Sequence, residues 1–227
     1  MKSVERVEMP DVFKKPIFKI TTAKDEFLGK TLVVATGTEH KKMGVPGEGE
    51  LSAKGVSYCA LCDGAFFKEK EVALVGGGDT AAIDGLILTE FVGKIHVLVR
   101  RDVMRAEPIN LEKLTNHPKV QIHYKTEVSE ILGKEHVEGV RLKSGEILPV
   151  SAVFVAIGHV PNSGVAKDIG VELDSHGYIK VDVGSQTNIP GVYAAGDVTD
   201  KPFKQAIIGA SEGVMASYFA YQYLQES

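Results

Sequence analysis

The chain has 227 residues, of which 44% are hydrophobic and 25% charged, with 24 glycines, two cysteines and a formal net charge of −4. That balance describes a soluble, turn-rich α/β protein of one large or two small domains, and it excludes a secreted disulfide scaffold or a general attraction to nucleic acid and acidic membranes. No apolar run approaches the ~18–20 residues of a membrane span and no secretory signal is visible at the N-terminus, so the expected compartment is the cytoplasm.

Thr31-Leu32-Val33-Val34-Ala35-Thr36-Gly37 is a continuous apolar run closed by glycine, which suits a buried strand with a tight exit. The stretch from Gly44 to Gly49, with Pro46, reads as a linker. Both cysteines then fall in Cys59-Ala60-Leu61-Cys62-Asp63. Such a pair is half a zinc site, two inert core thiols or a redox dithiol. Structural zinc needs four ligands, and His40 and His96 are not at finger spacing, so the redox pair is the favoured reading. A helix starting at the pair would stabilise a thiolate. Asp63 is a candidate acid/base for the leaving thiolate, with a cap or turn role as its alternative.

Val72–Val75 reads as a strand and leads into Gly76-Gly77-Gly78-Asp79-Thr80-Ala81, a Gly-x-Gly-x-x-Ala loop opening a helix. In that context Gly76 makes the turn, Gly78 admits a pyrophosphate and Ala81 permits close packing, while the helix N-terminus offers free N–H groups. The helix is expected to bury Ala82, Ile83, Leu86, Ile87 and Phe91 on one face and to close with Gly93 at C′. Ile95–Val99 completes a βαβ-like unit and runs into Arg100-Arg101, with Arg105 one turn on. Guanidiniums there suit a ribose 2′-phosphate and so favour NADPH, against the alternative of a solvated basic turn. A short helix over 108–116 and strands over 120–124, 126–132, 137–142 and 146–150 follow, giving a βαβ unit with inserted antiparallel strands.

A second apolar run closed by glycine, Ala152 to Gly158, ends this block. Short strands over 178–182 and 191–195 precede a long helix, 205–224, with Ile207, Ile208, Val214, Phe219, Tyr223 and Leu224 as candidate core contacts. The expected fold class is α/β: a Rossmann-like NAD(P)H-binding domain, residues 39–157, inserted between the parts of another domain, 1–38 and 158–227.

Together these residues resemble the low-molecular-weight thioredoxin reductases of the pyridine nucleotide–disulfide oxidoreductase group, over essentially the whole chain. The resemblance is carried by Cys59 to Gly64, Gly76 to Ala81, Arg100-Arg101-Asp102-Val103-Met104-Arg105-Ala106, Ala194-Ala195-Gly196-Asp197 and Lys204-Gln205-Ala206. It implies two cofactors, FAD and NADPH. Gly76, Gly78, Asp79, Thr80, Ala81, Arg100, Arg101 and Arg105 would serve NADPH. Asp197, beside Gly196, would hold the ribityl–phosphate region of FAD, and Lys204, Gln205 and Ala206 would touch the flavin ring. A helix starting near Gln205 would turn its positive end to the pyrimidine edge. Thr36 and Gly37, counted with the cofactor-binding residues, and Gly158-His159 would lie at the crossings between domains. Electrons would pass from NADPH to FAD, then to the Cys59–Cys62 disulfide and to thioredoxin, with Cys62 on the flavin side, Cys59 as the exchange thiol and Asp63 assisting. The middle block would rotate between two orientations, and the family usually forms homodimers.

The family also carries an N-terminal Rossmann unit for the ADP half of FAD, with its own Gly-x-Gly-x-x-Gly. Before Gly76 the other Gly-x-Gly is Gly47-Glu48-Gly49, which follows Pro46 in a loop. The sequence is therefore expected to start partway through the FAD domain, short of a βαβ unit of about 30 residues or more. It is expected to bind NADPH, to hold FAD weakly or not at all, and to leave an apolar strand edge near 31–36. Two other functions fit the motifs: a non-catalytic NADPH-binding redox sensor, and the flavoprotein reductase of a peroxiredoxin system.

Overall fold

The computed structural model describes residues 3–7 and 16–225 and divides into two compact units, Met1–Glu39 with His159–Ser227, and His40–Gly158. In the first, β1 (Ser3–Val7), β2 (Ile17–Thr21) and β3 (Glu26–Gly29) form an antiparallel sheet with Thr21 opposite both Ser3 and Glu26. Nothing in the motif reading pointed to this sheet, whose strands are short and weakly alternating. β4 (Leu32–Val34) and β5 (Thr38–His40) follow.

The second unit runs β6 (Val56–Ser57), α1 (Ala60–Asp63), a 3-10 turn over Gly64–Phe67, β7 (Glu71–Val75), α2 (Asp79–Thr89), β8 (Lys94–Val99), α3 (Pro108–Thr115), β9 (Val120–Tyr124), β10 (Val128–Gly133), β11 (Val137–Leu142), β12 (Ile147–Leu148) and β13 (Ala152–Val155). Five of these strands make a parallel sheet in the order β6-β13-β7-β8-β9, with Val72 opposite both Ala152 and Ile95. β10, β11 and β12 form a separate antiparallel sheet, so β9 belongs to the parallel layer and not to the antiparallel insert. Alternate residues explain the unbroken apolar runs. Val72, Leu74, Ile95, Val97 and Phe154 pack with Ala82, Leu88 and Leu114 of the helices. Ala73, Leu98, Val153 and Val155 pack with Val128, Ile131 and Val140 of the antiparallel sheet. A parallel sheet covered on both faces needs apolar residues at every position.

Two expectations about α2 are corrected. Ala82 is buried and Leu86, Ile87 and Phe91 are half-buried against the same core as expected, but Ile83 is exposed, Phe91 lies beyond the helix end, and the buried residues of the helix are Ala81, Ala82, Gly85, Leu88 and Thr89. Small residues let the helix lie close to its neighbours: a Cβ on Gly85 would come within 2.7 Å of Leu114 Cδ1. Gly93 is not the C′ residue, since the helix stops at Thr89 with Glu90 as its cap. Glycine stands there because a Cβ would lie 2.6 Å from the Glu69 carbonyl oxygen.

The first unit resumes with β14 (His159–Pro161), α4 (Gly164–Asp168), β15 (Val192–Ala194) and α5 (Ala206–Gln225). β14 pairs with β5, and β15 runs parallel to β4. Val4, Phe18, Leu32, Val34, Ile179, Val192 and Ala194 share its core. Residues 178–182 are not a strand: Ile179 makes only isolated bridges, and nearby backbone N–H groups go to the Asp174 and Asp200 side chains. α5 buries Ala216 and Ala220 with part of Phe219, and Tyr193 donates its hydroxyl to the Phe219 carbonyl at 3.0 Å. Ile207, Val214 and Leu224 are exposed, not core contacts. Large apolar residues lie on more than one side of α5, so periodicity alone could not select its packed face. Among the described residues no helix is long and apolar enough to cross a membrane.

Candidate active site

In the parallel sheet β6, β13 and β7 point the same way, and their carboxyl ends lead to Cys59, Ala156 and Gly76 respectively. Ligands of open α/β sheets collect at this edge. A cavity of about 870 Å³ opens there. It is lined by Gly76, Gly77, Gly78, Thr80, Arg100, Arg101 and Arg105.

The glycine turn is a close-fitting cradle. A Cβ on Gly76 would sit 2.4 Å from the Ala156 oxygen and 2.8 Å from the Ala81 Cβ, and one on Gly77 would meet Val99 at 2.9 Å. Gly78 caps α2 with extended backbone and no side-chain bond, and a Cβ there would find nothing within 4 Å. The first turn of α2 therefore keeps backbone donors for an outside anion, helped by the helix dipole. The Arg105 N–H donates to the Gly77 oxygen at 2.6 Å, which ties the basic loop to the cradle.

Asp79 and Ala81 stand behind this surface. The Asp79 carboxylate accepts the Glu107 N–H and the Asn110 side-chain amide, both at 3.2 Å, and so holds the start of α3. Ala81 is fully buried under Gly76. Motif reading missed Lys41, Lys42, Thr126 and Lys143, which also line the cavity. The lysines add to the positive field, offset by Glu127, which pairs with Lys143 at 3.0 Å. Their position in loops beside a predicted strand exit was the only available signal.

Cys59 and Cys62 are joined as a disulfide with an S–S distance of 2.04 Å. Cys59 is the N-cap of α1, and its sulfur accepts the Cys62 N–H at 3.1 Å, so the pair does enter a helix. Cys62 is exposed and Cys59 half-buried. Asp63 makes no side-chain cap bond to the turn that follows. Its carboxylate instead accepts the Ser57 hydroxyl at 2.6 Å. Tyr58, just before Cys59, donates to the buried Glu48 carboxylate at 3.0 Å and stacks on His40 with centroids 4.9 Å apart. Burial, and then Glu48, push the Tyr58 hydroxyl up to about 12. Neither cysteine lines the cavity.

The other candidate residues lie in the first unit. Thr36 donates its hydroxyl to the Asn162 oxygen at 2.6 Å and accepts the Asn162 amide on its carbonyl at 3.1 Å, beside Gly37 with φ +66°. Gly196, with φ +80°, gives its N–H to Glu212 at 2.7 Å, and Glu212 is only 4% exposed on α5. Glu212 was not anticipated. Lys204 donates to the Thr199 oxygen and lies 4.4 Å from the Tyr178 ring centroid. Burial lowers its ammonium, opposed by the nearby Asp197 and Glu212 carboxylates. The Gln205 oxygen accepts the Ile208 and Gly209 N–H groups, and Ala206 opens α5. Gly196, Asp197, Lys204, Gln205 and Ala206 thus gather at the first turns of this helix.

These donors fit the two cofactors unequally. The cradle, cavity and guanidiniums match a phosphorylated pyridine dinucleotide. The residues around α5 offer a positive helix end and an ammonium suited to the ring end of a flavin. Among the described residues, however, Gly76–Gly78 is the one glycine-rich turn leading straight from a strand into a helix. Among the described residues no cluster of His, Cys, Asp or Glu could hold a metal ion.

The family model of pyridine nucleotide-disulphide oxidoreductases matches residues 4–213. The chain is 39% identical to a thioredoxin reductase of Treponema pallidum (strain Nichols) over 213 residues, covering 92% of this chain and 69% of that protein. It is 41% identical over 209 residues to one from Streptomyces coelicolor, covering 89% of this chain and 65% of the relative. The crystal structure of thioredoxin reductase from Streptococcus pyogenes MGAS5005 superimposes with a TM-score of 0.87 at 34% identity, over 98% of this chain and 73% of that one. The chain thus spans about two thirds of the length of these two curated relatives.

Proposed function

This chain belongs to the pyridine nucleotide–disulphide oxidoreductase family, in its thioredoxin reductase branch, and from that premise we propose that it reduces the disulfide of thioredoxin at the expense of NADPH, with FAD as intermediary. The observation that carries this reading is the shared strand edge: a dinucleotide cradle and a cysteine pair leave the same parallel sheet, separated only by β13.

When bound, the nicotinamide and the flavin supply a two-electron route that ends at sulfur. The protein's own groups do the rest. Gly76–Gly78 and the first turn of α2 would hold the pyrophosphate, and Arg100, Arg101 and Arg105 the 2′-phosphate. Gly196, Asp197 and the Lys204–Ala206 segment would receive FAD at the start of α5. Cys59 would exchange with thioredoxin while Cys62 completes the couple, and Asp63 would carry the proton. A cytoplasmic setting suits a chain whose only two cysteines form one such pair.

The test is a thiol count. The chain is incubated with excess NADPH and with FAD at a concentration high enough to load a weak site, and free cysteines are titrated with Ellman's reagent after gel filtration. Two thiols are expected with both cofactors and none with NADPH alone. A flavin-loaded chain that keeps its disulfide under excess NADPH would refute the proposal.

A further inference from the structure

We propose that Ser57 is a positioning residue of the dithiol site, whose hydroxyl orients the Asp63 carboxyl group toward the sulfur it must serve. This rests on the exchange reading above and adds a residue to it. Ser57 ends β6, is 5% exposed, and pairs with Phe154 of β13, so its backbone is part of the parallel sheet. Its hydroxyl oxygen has three polar neighbours among the described residues, of which the Cys59 carbonyl oxygen at 3.4 Å is the farthest. It accepts the Cys59 N–H at 3.1 Å and donates its own proton to Asp63 Oδ2 at 2.6 Å. Asp63 in turn donates its N–H to the Cys59 oxygen at 3.1 Å. One hydroxyl therefore bonds at once to the backbone of the exchange cysteine and to the candidate acid/base.

The need for such an anchor follows from the element that carries Asp63. α1 is a single turn of four residues, half-buried at that position, too short to fix a side chain by itself. Bonding to β6 passes the rigidity of the sheet to the carboxyl group. In the exchange, the Cys59 thiol gives its proton to Asp63 and its sulfur attacks an outside disulfide. That S–S bond breaks, a mixed disulfide forms, and the departing thiolate takes the proton back from Asp63. Cys62 then attacks the mixed disulfide, the second thiol leaves with the Cys62 proton, and the Cys59–Cys62 bond is restored, with two electrons transferred to the outside compound. Asp63 thus acts twice: taking the Cys59 proton is common to any outside disulfide, whereas its return matters only where the leaving thiolate needs that proton.

This gives a readout independent of both cofactors. The chain is reduced with a phosphine, freed of reductant, and mixed with either DTNB, whose aromatic thiolate leaves unprotonated, or hydroxyethyl disulfide, whose alkyl thiolate does not leave readily without a proton. For Ser57→Ala the rate with hydroxyethyl disulfide should fall about ten-fold more than the rate with DTNB, in line with a weakened return of the proton. Ser57→Thr, which keeps the hydroxyl, should restore the ratio. Adding Ser57→Ala to Asp63→Asn should cost nothing further. Equal losses with both compounds, or an effect that persists without the Asp63 carboxylate, would overturn the assignment and leave the exchange reading intact. A wild-type dithiol that reduces neither compound would overturn both.

Discussion

Asp84 on α2 shows how one side chain sets a pH dependence. Burial pushes its carboxyl group up to about 6 from an ordinary value of 3.8. The folded state then holds a proton that the unfolded chain has released, so the contribution of Asp84 to stability is complete below about pH 4 and is lost as pH rises to about 6. Asp84→Asn removes that decline, and near pH 7.5 thermal melts should show a gain on the order of 1–3 kcal/mol. In the cavity, Arg100→Gln with Arg101→Gln should weaken NADPH ten-fold or more and NADH much less, read by isothermal titration. Residues of this kind were legible wherever the chemistry needs neighbours in sequence. Cys59–Cys62 and Gly76–Gly78 announce themselves because a turn must bring their atoms together. Lys143, Thr126 and Glu212 arrive from remote loops and a helix, and no local pattern marks them. Asp79 was legible as part of a motif while its partner in α3 was not.

At the level of elements, β7, β8 and β9 are stitched by more than their backbone ladder. His96, almost fully buried, bonds Glu71 through Nε2 at 3.0 Å and His123 through Nδ1 at 3.1 Å. A neutral His96 that donates to Glu71 has its other nitrogen free to accept from His123. Burial, then the neighbouring His96, lower the His123 imidazole below its usual 6.5, and the His96 bond lowers Glu71 below 4.5. Both shifts have the same sign: the contribution of this trio is complete above about pH 7, falls as pH drops through the folded value of His123, and falls again as Glu71 protonates. His123→Gln should flatten the first of these steps in a plot of melting temperature against pH. Gly93→Ala tests the close approach after α2: with Glu69 backbone atoms at 2.6 and 3.0 Å from the new methyl, the strand connection must shift. A loss of about 1–3 kcal/mol is expected, seen as a lower urea midpoint at unchanged m. The strands of this sheet were readable as apolar runs because both of their faces are covered. α5 was readable as a helix, but its packed face rests on Ala216 and Ala220, residues too small to stand out from the larger apolar ones around them.

For the molecule as a whole, the unit His40–Gly158 is continuous, and the Lys41 N–H bonds the Gly158 oxygen at 2.9 Å, which holds its two ends together. Expressed alone, it should fold cooperatively and bind NADPH within about two-fold of the full chain, since every residue lining the cavity lies inside it. A fragment that binds no NADPH while the full chain does would show that the cavity borrows support from outside. The other unit is split around it, and β4 finds its parallel partner β15 only near the far end of the chain. A ribosome therefore delivers the 40–158 core whole while β4 still lacks its parallel partner β15. Until translation passes Ala194, β4 lacks this neighbour, so arrest between codons 158 and 192 should leave a polypeptide with one closed core and one open one, seen as protease resistance confined to residues 40–158.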